Sequence, residues 1–145
     1  MRQQVYLRAL ATLPNVSIIY GHFLTHSTRM VLTNVLPIQK VWVDKTEEKG
    51  SDVNLATHLL HDGFKGRFDT AVLITNDSDL LEPVRIVRQE LGLPVGILNP
   101  HQRHSCALKP QATFMKRIRQ SDVAACQFAN PLVDQHGYFH KPPTW

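Results

Sequence analysis

A run of six uncharged residues, Thr70-Ala71-Val72-Leu73-Ile74-Thr75, constrains the fold of this chain more than any other segment. An apolar, β-branched run of this length predicts a strand that is buried on both faces, the type found in parallel sheets. Two carboxylates, Asp77 and Asp79, follow it closely, and the apolar residues then change to helical spacing over residues 79–91. A strand that leads directly into a helix indicates a repeating unit of an α/β fold.

The other segments are predicted from the same two periodicities. Helical spacing predicts helices at residues 3–13, 51–64 and 111–119, and β-rich composition predicts strands at residues 16–20, 41–43, 94–98 and 123–128. Residues 25–39 have no clean period and are predicted to be a loop. The aromatic residues expected in the core are Trp42, Phe64, Phe114 and Phe128.

Alternating strands and helices predict a three-layer, Rossmann-like α/β domain with a mostly parallel sheet flanked by helices. The length of 145 residues suits one such domain. We assign residues 1–129 to the domain and residues 130–145, which are rich in proline, to an irregular C-terminal tail that packs on it.

Composition narrows the functional class. With 43% hydrophobic and 19% charged residues the chain is expected to be globular, and its net charge of +4 suits a polyanionic partner. No apolar run approaches the roughly 18 residues that span a bilayer, and the N-terminus has no secretory pattern. We therefore expect a cytoplasmic protein that has no membrane association.

Three carboxylates are predicted to meet at one edge of the sheet. Asp77 and Asp79 follow the strand 70–75, and Asp52 opens the helix that follows the strand 41–43. Functional sites of such sheets lie at the carboxyl ends of the strands. Clustered carboxylates repel one another unless a cation holds them, and oxygen ligands favour Mg²⁺ or Mn²⁺. These ions support hydrolysis of phosphodiesters by activated water.

A second interpretation of the same acids remains open. Asp79 with Glu82 fits a helix capping box, Asp77 suits a cap as well, and the helix dipole favours Asp52 in a first turn. Glu48 belongs either to a solvated turn or to a position from which it reaches a metal-bound water. The cations Lys116, Arg117 and Arg119 form either a phosphate-binding cluster or a solvated helix face.

Two motifs at this spacing carry a resemblance to a known family. Lys49-Gly50-Ser51-Asp52 and Asn76-Asp77-Ser78-Asp79 resemble the motifs of the NYN family, a branch of the PIN-like nuclease superfamily also called the LabA or DUF88 group. The resemblance implies a metal-dependent ribonuclease that prefers single-stranded RNA. It also implies that Asp52, Asp77 and Asp79 are metal ligands, that Lys49 and Ser78 support the phosphate, and that Asn76 and Glu48 lie close by.

The chain departs from the family pattern at its start. Family members normally begin with a strand that ends in Asp-Gly-x-Asn, and no segment here matches it. We therefore expect an N-terminally shortened member, with one ligand fewer and an exposed sheet edge. The edge invites a second copy or a partner chain, so a non-catalytic module that binds nucleic acid or protein is the alternative function.

Overall fold

The computed structural model describes residues 2–143, which form a mixed α/β structure. In chain order the elements are α1 (Arg2–Leu10), β1 (His22–Val31), β2 (Lys40–Lys49), α2 (Ser51–Phe64), β3 (Ala71–Ile74), a 3₁₀ turn (Ser78–Leu80), α3 (Leu81–Gln89), β4 (Val95–Asn99), α4 (Leu108–Gln111), β5 (Phe114–Arg117), α5 (Gln120–Ala125), β6 (Leu132–Asp134) and β7 (Gly137–Phe139). The predicted strand–helix units around β3 and β4 are confirmed, with boundaries shifted by one or two residues.

The main sheet has the strand order β3-β4-β5, and both neighbouring pairs are parallel. Helices α2 and α3 cover one face of it. The core of this layer consists of the buried side chains Leu59, Ala71, Leu73, Val84, Val87 and Val95. Burial of a leucine or valine side chain contributes about 1.5–3 kcal/mol. The packing of α2 and α3 on the sheet is therefore the main stabilising contact of the fold.

The opposite face of the sheet is poorly covered. Val72 and Ile74 on β3 are 50% and 66% exposed, so the prediction of a strand buried on both faces is wrong. The reason is that residues of α1, α5 and the C-terminal segment surround a cavity of about 640 Å³ beside Ile74 and do not pack closely against it. A parallel sheet normally has both faces buried.

Strand β3 also has a free backbone edge in the described residues. The N–H groups of Ala71 and Thr75 donate to Pro94 and Leu98 on the β4 side, at 3.0 and 3.2 Å. Because backbone direction alternates along a strand, the N–H and C=O groups of Val72 and Ile74 point away from β4. This edge is open to pairing with another strand.

Strands β1 and β2 form a long antiparallel hairpin where sequence reasoning predicted a strand at 16–20 and a loop at 25–39. The strand predicted at 16–20 is not formed, and the loop prediction is wrong for residues 25–31, which belong to β1, but holds for residues 32–39. The hairpin is exposed on most of its surface, so polar residues occur on both faces and no apolar period marks it. Trp42 on β2 and Phe64 at the end of α2 were expected in the core and are 70% and 65% exposed.

The region after β4 also differs from expectation. The segment 111–119 was predicted to be a helix but contains strand β5, and the segment 123–128 was predicted to be a strand although its first half belongs to α5 and the rest is not a strand. The N–H of Thr113 donates to Val95 O at 2.7 Å, and the N–H of Ile118 donates to Asn99 O at 2.9 Å. Pairing with β4 therefore overrides the local helical pattern.

The C-terminal segment is partly regular. Strands β6 and β7 form a short hairpin, so the prediction of an irregular tail is wrong for residues 132–139, while residues 144 and 145 lie outside the described part. Arg8 on α1 donates to both carboxylate oxygens of Asp134, each at 2.6 Å. These contacts join the two segments that flank the main sheet. No helix in residues 2–143 is long and apolar enough to cross a membrane.

Candidate functional site

Asp77 lies three residues after the end of β3 and caps the turn that leads into α3. Its N–H donates to Thr75 Oγ1, and its Oδ1 accepts the N–H of Asp79, both at 3.0 Å. The capping interpretation is therefore confirmed for Asp77. Asp79 does not form the expected box with Glu82, whose carboxylate accepts two hydrogen bonds from Arg85 at 2.9 and 2.6 Å. One oxygen of Asp77 stays available to a ligand.

Asp52 lies in the first turn of α2, which packs near the turn that carries Asp79. Gly50 is the N-cap of this helix, with a φ of 97° that favours glycine. Ser51 is the first helical residue, and its N–H and Oγ donate to Glu48 Oε1 at 3.1 and 2.7 Å. Glu48 therefore stabilises the start of α2, and the Asp52 side chain stays exposed.

Lys49 and its acidic neighbours lie on β2, not in the predicted turn. Lys49 Nζ is 3.1 Å from Glu47 Oε2, and Lys45 forms an ion pair with the same carboxylate. Hydrogen bonds from Lys45 and then Lys49 lower the pKa of Glu47 to about 2. The ammonium of Lys49 is thus directed toward Glu47, and the described residues include no ion pair between it and the three aspartates.

Asn76, two residues after the end of β3, and Asn99, the last residue of β4, hold the same loop. Their Nδ2 groups donate to the carbonyl oxygen of Arg103 at 3.2 and 3.1 Å, and the N–H of Ser105 donates to Asn76 Oδ1 at 2.8 Å. These bonds fix the loop that follows β4 beside the carboxyl end of β3.

Asn99 was not singled out as a site residue from the sequence, although it is fully buried in this loop contact. It also accepts the N–H of His101 at 2.8 Å and lies 3.0 Å from His104 Nδ1. The sequence does contain a signal for this role, because Asn99 is an amide at the end of an apolar strand and directly precedes Pro100. A polar side chain at that place needs hydrogen-bond partners if it is buried.

The acidic residues have the chemistry that binds a hard cation, but fewer than three of them are grouped together in the described residues. Asp77 and Asp79 lie on one turn and supply only oxygen donors, which suits Mg²⁺ or Mn²⁺. Within residues 2–143, however, no group of three or more His, Cys, Asp or Glu side chains is arranged to hold a metal ion. Asp52 lies on a different element, the first turn of α2, and this helix contacts the turn that carries Asp79.

Comparison with known proteins identifies the family. A sequence model of the NYN domain matches residues 15–118, which is more than half of the chain and includes all three aspartates. The chain belongs to the NYN domain family. NYN domains are part of the PIN-like nuclease superfamily; they generally bind RNA, and the nucleases among them generally depend on divalent metal ions. The segments that carry Arg8 and Asp134 lie outside the NYN match.

A curated relative of this NYN domain carries the name of an oxygenase. It is the 6-hydroxy-3-succinoylpyridine 3-monooxygenase HspA of Pseudomonas putida, which is 30% identical over 106 residues. The match covers 70% of this chain and 34% of the relative, so the chain spans about a third of that protein's length. No solved structure matches the chain.

Proposed function

We propose that this NYN domain is a Mg²⁺- or Mn²⁺-dependent ribonuclease-like domain that hydrolyses phosphodiester bonds in single-stranded RNA. The observation that carries the proposal is the position of Asp77 and Asp79 on one turn at the carboxyl end of β3, which is contacted by α2, the helix that carries Asp52 in its first turn. The proposal includes the three-layer arrangement of the superfamily, with α1 and α5 as an incomplete layer beside Ile74.

We base the proposed roles of the residues on their positions in the fold and on the resemblance of the two motifs to those of the NYN family. The free oxygen of Asp77 and the carboxylate of Asp79 would hold the cation, and Asp52 would complete or orient the ligand set from α2. When bound, the cation would activate water and stabilise the negative charge that develops on the phosphate. Lys49 and Ser78 support the phosphate in this proposal, and Asn76 fixes the neighbouring loop through Arg103 and Ser105.

The test compares cleavage and metal binding in matched variants. We expect the wild type to cleave labelled single-stranded RNA in Mn²⁺ but not in EDTA, and D77N to be inactive. D69N changes an exposed aspartate before β3 and should cleave like the wild type. Mn²⁺ at about a hundredfold excess over its Kd raises the free energy of unfolding by roughly 2.7 kcal/mol, so the wild type should gain thermal stability and D77N should not. Undiminished cleavage by D77N would refute the assignment.

The second candidate function is a non-catalytic module that binds RNA or a protein partner. Two observations favour it: the three-ligand group is absent from the described residues, and the edge of β3 is free, with Val72 and Ile74 exposed. A second copy or a partner chain would then pair with this edge. RNA binding in EDTA with no cleavage in Mn²⁺ supports this function over the first. We do not propose the oxygenase activity of the relative for this chain, because the match covers only 34% of the relative.

A further inference from the structure

The hairpin of β1 and β2 is a large structural feature that the proposed metal site leaves unused. Each strand has ten residues, so the hairpin extends about 33 Å. Most of its side chains are exposed. An isolated two-stranded hairpin is marginally stable in water. A protruding hairpin of this length therefore offers a surface for binding a partner.

The two faces of this hairpin differ in burial. One face is partly covered and carries Thr28, Val41, Val43 and Glu47, all of which are half-buried. The other face, which we call the ribbon face, is exposed throughout. It consists of Phe23, Thr25, Ser27, Arg29 and Val31 on β1 and Lys40, Trp42, Asp44, Thr46 and Glu48 on β2. The ribbon face is thus the unpartnered one.

The half of the ribbon face nearest the connection between β1 and β2, which we call the distal half, combines the indole of Trp42 with two cations. Arg29 is opposite Trp42, and its Cζ lies 6.0 Å from the centre of the Trp42 ring. Lys40 is opposite Val31 on the same face. Neither Arg29 nor Lys40 has an ion-pair partner in the described part of the chain. Trp42 is 70% exposed, which is unusual for a side chain of its size and apolar area.

The acids of the ribbon face are Asp44 in its central cross-strand pair and Glu48 in the pair next to α2, and both accept hydrogen bonds. Asp44 Oδ1 accepts a hydrogen bond from Ser27 Oγ at 2.6 Å, and Glu48 accepts from Ser51. The two halves of the face therefore differ in charge, and the positive half is the one with the exposed indole. A surface of this kind complements a polyanion that has flat aromatic groups.

We propose that the distal half of the ribbon face binds single-stranded RNA, with a base stacked on Trp42 and phosphates near Arg29 and Lys40. The inference rests on the proposed function, because it names the surface that holds the RNA substrate of the same domain. Single-stranded nucleic acids are bound by aromatic stacking beside basic side chains, largely without sequence preference. Self-association of the distal half with the distal half of a second copy is disfavoured, since it would bring Arg29 and Lys40 of the two copies together.

The first test measures the affinity for a fluorescein-labelled oligouridine by fluorescence anisotropy in EDTA. We expect W42A to bind about tenfold more weakly, because a stacked base is lost, and W42F to keep most of the affinity. The matched control is Y138A, which removes an aromatic side chain that is 77% exposed on β7. Y138A should bind like the wild type. Unchanged binding by W42A, or no RNA binding by the wild type, would overturn the proposal.

The second test uses the salt dependence of binding. Loss of one phosphate contact reduces the slope of log K against log salt by about 0.7 for a single strand. R29Q and K40Q should each show this reduction, whereas K65Q, at the end of α2, should keep the slope of the wild type. Equal slopes for all four proteins would overturn the assignment of the two cations.

The outcomes separate this inference from the nuclease proposal. RNA binding that depends on Trp42, in a wild type that cleaves nothing, supports the ribbon face and refutes the nuclease. Cleavage by W42A at the wild-type rate, measured with RNA well below its Kd, refutes the ribbon face and leaves the nuclease. A change in sedimentation of W42A with unchanged RNA affinity assigns the face to self-association and overturns the proposal.

Discussion

The ring of Phe114 on β5 lies directly over the α-carbon of Gly96 on β4, so that a β-carbon at position 96 would overlap the ring. G96A should therefore lower the free energy of unfolding by about 1–3 kcal/mol, the usual cost of overpacking. Urea denaturation measures it. The double variant G96A/F114L should recover part of the loss, because the two positions are in contact. Additive effects of the two substitutions would contradict this explanation.

The contact between Arg8 and Asp134 should make stability depend on pH in the acid range. The hydrogen bond from Arg8 lowers the pKa of Asp134 to about 2 in the folded state, below the value of about 3.9 of an unfolded chain. The stabilisation is therefore complete above about pH 4 and is lost as the pH falls toward about 2.

The variant D134N tests this dependence by thermal denaturation. Its melting temperature should be below that of the wild type at neutral pH, and the difference should vanish near about pH 2. D69N changes an exposed aspartate and should show no such dependence on pH. A difference between D134N and the wild type that persists unchanged in acid would argue against the ion pair as its cause.

Asn99 should be the polar residue whose loss most affects the loop that follows β4. N99L removes a donor to Arg103 O and an acceptor for the His101 N–H, so we expect a loss of about 1–3 kcal/mol in the free energy of unfolding. Hydrogen exchange at His101 and Ser105 should become faster. N15L changes an exposed asparagine and serves as the control. Wild-type exchange rates in N99L would mean that the loop is held by other contacts.

Asp77 has a capping role that can be separated from any metal role. In EDTA, D77A should lose about 1 kcal/mol of stability, because the N–H of Asp79 loses its acceptor. D77N keeps an acceptor oxygen and should unfold like the wild type. Urea denaturation in metal-free buffer distinguishes the two variants. If D77N were as destabilised as D77A, its inactivity in a cleavage assay would not identify a metal ligand.

The part of the fold that was predicted from the sequence is the part whose residues pack against the main core. Helix α2 was predicted with its observed bounds, the prediction for β3 was one residue too long at each end, and that for β4 was displaced by one residue. In these elements the apolar period records burial directly, as for Leu59 and Val87. Periodicity predicts an element when one face of it packs against a core.

The strands that were missed, β1 and β5, are those whose structure depends on a partner strand. The ribbon of β1 and β2 has no buried apolar stripe, and β5 is a strand because Thr113 and Ile118 continue the hydrogen bonding to β4. Pairing between strands distant in sequence is not visible in a local window. For the same reason the apolar run 70–75 did not reveal that Val72 and Ile74 are exposed.

The candidate site was predicted in its position on the fold but not in its contacts. Asp77 follows β3 as expected, and Asn76 anchors a loop that the sequence did not indicate. The partner of Lys49 is Glu47, two residues away on the same strand. Whether Asp52, Asp77 and Asp79 bind metal stays a prediction, because side-chain positions relative to one another depend on tertiary packing that motif spacing does not record.

The ion pair of Arg8 with Asp134 joins residues that are 126 positions apart in sequence. Contacts of such long range carry a large loop-closure cost and form only after local structure is in place. We therefore expect the two terminal segments to assemble last in folding, onto a core of α2, α3 and the parallel strands that is already formed. In the native state they should also open first, at a free energy below that of global unfolding.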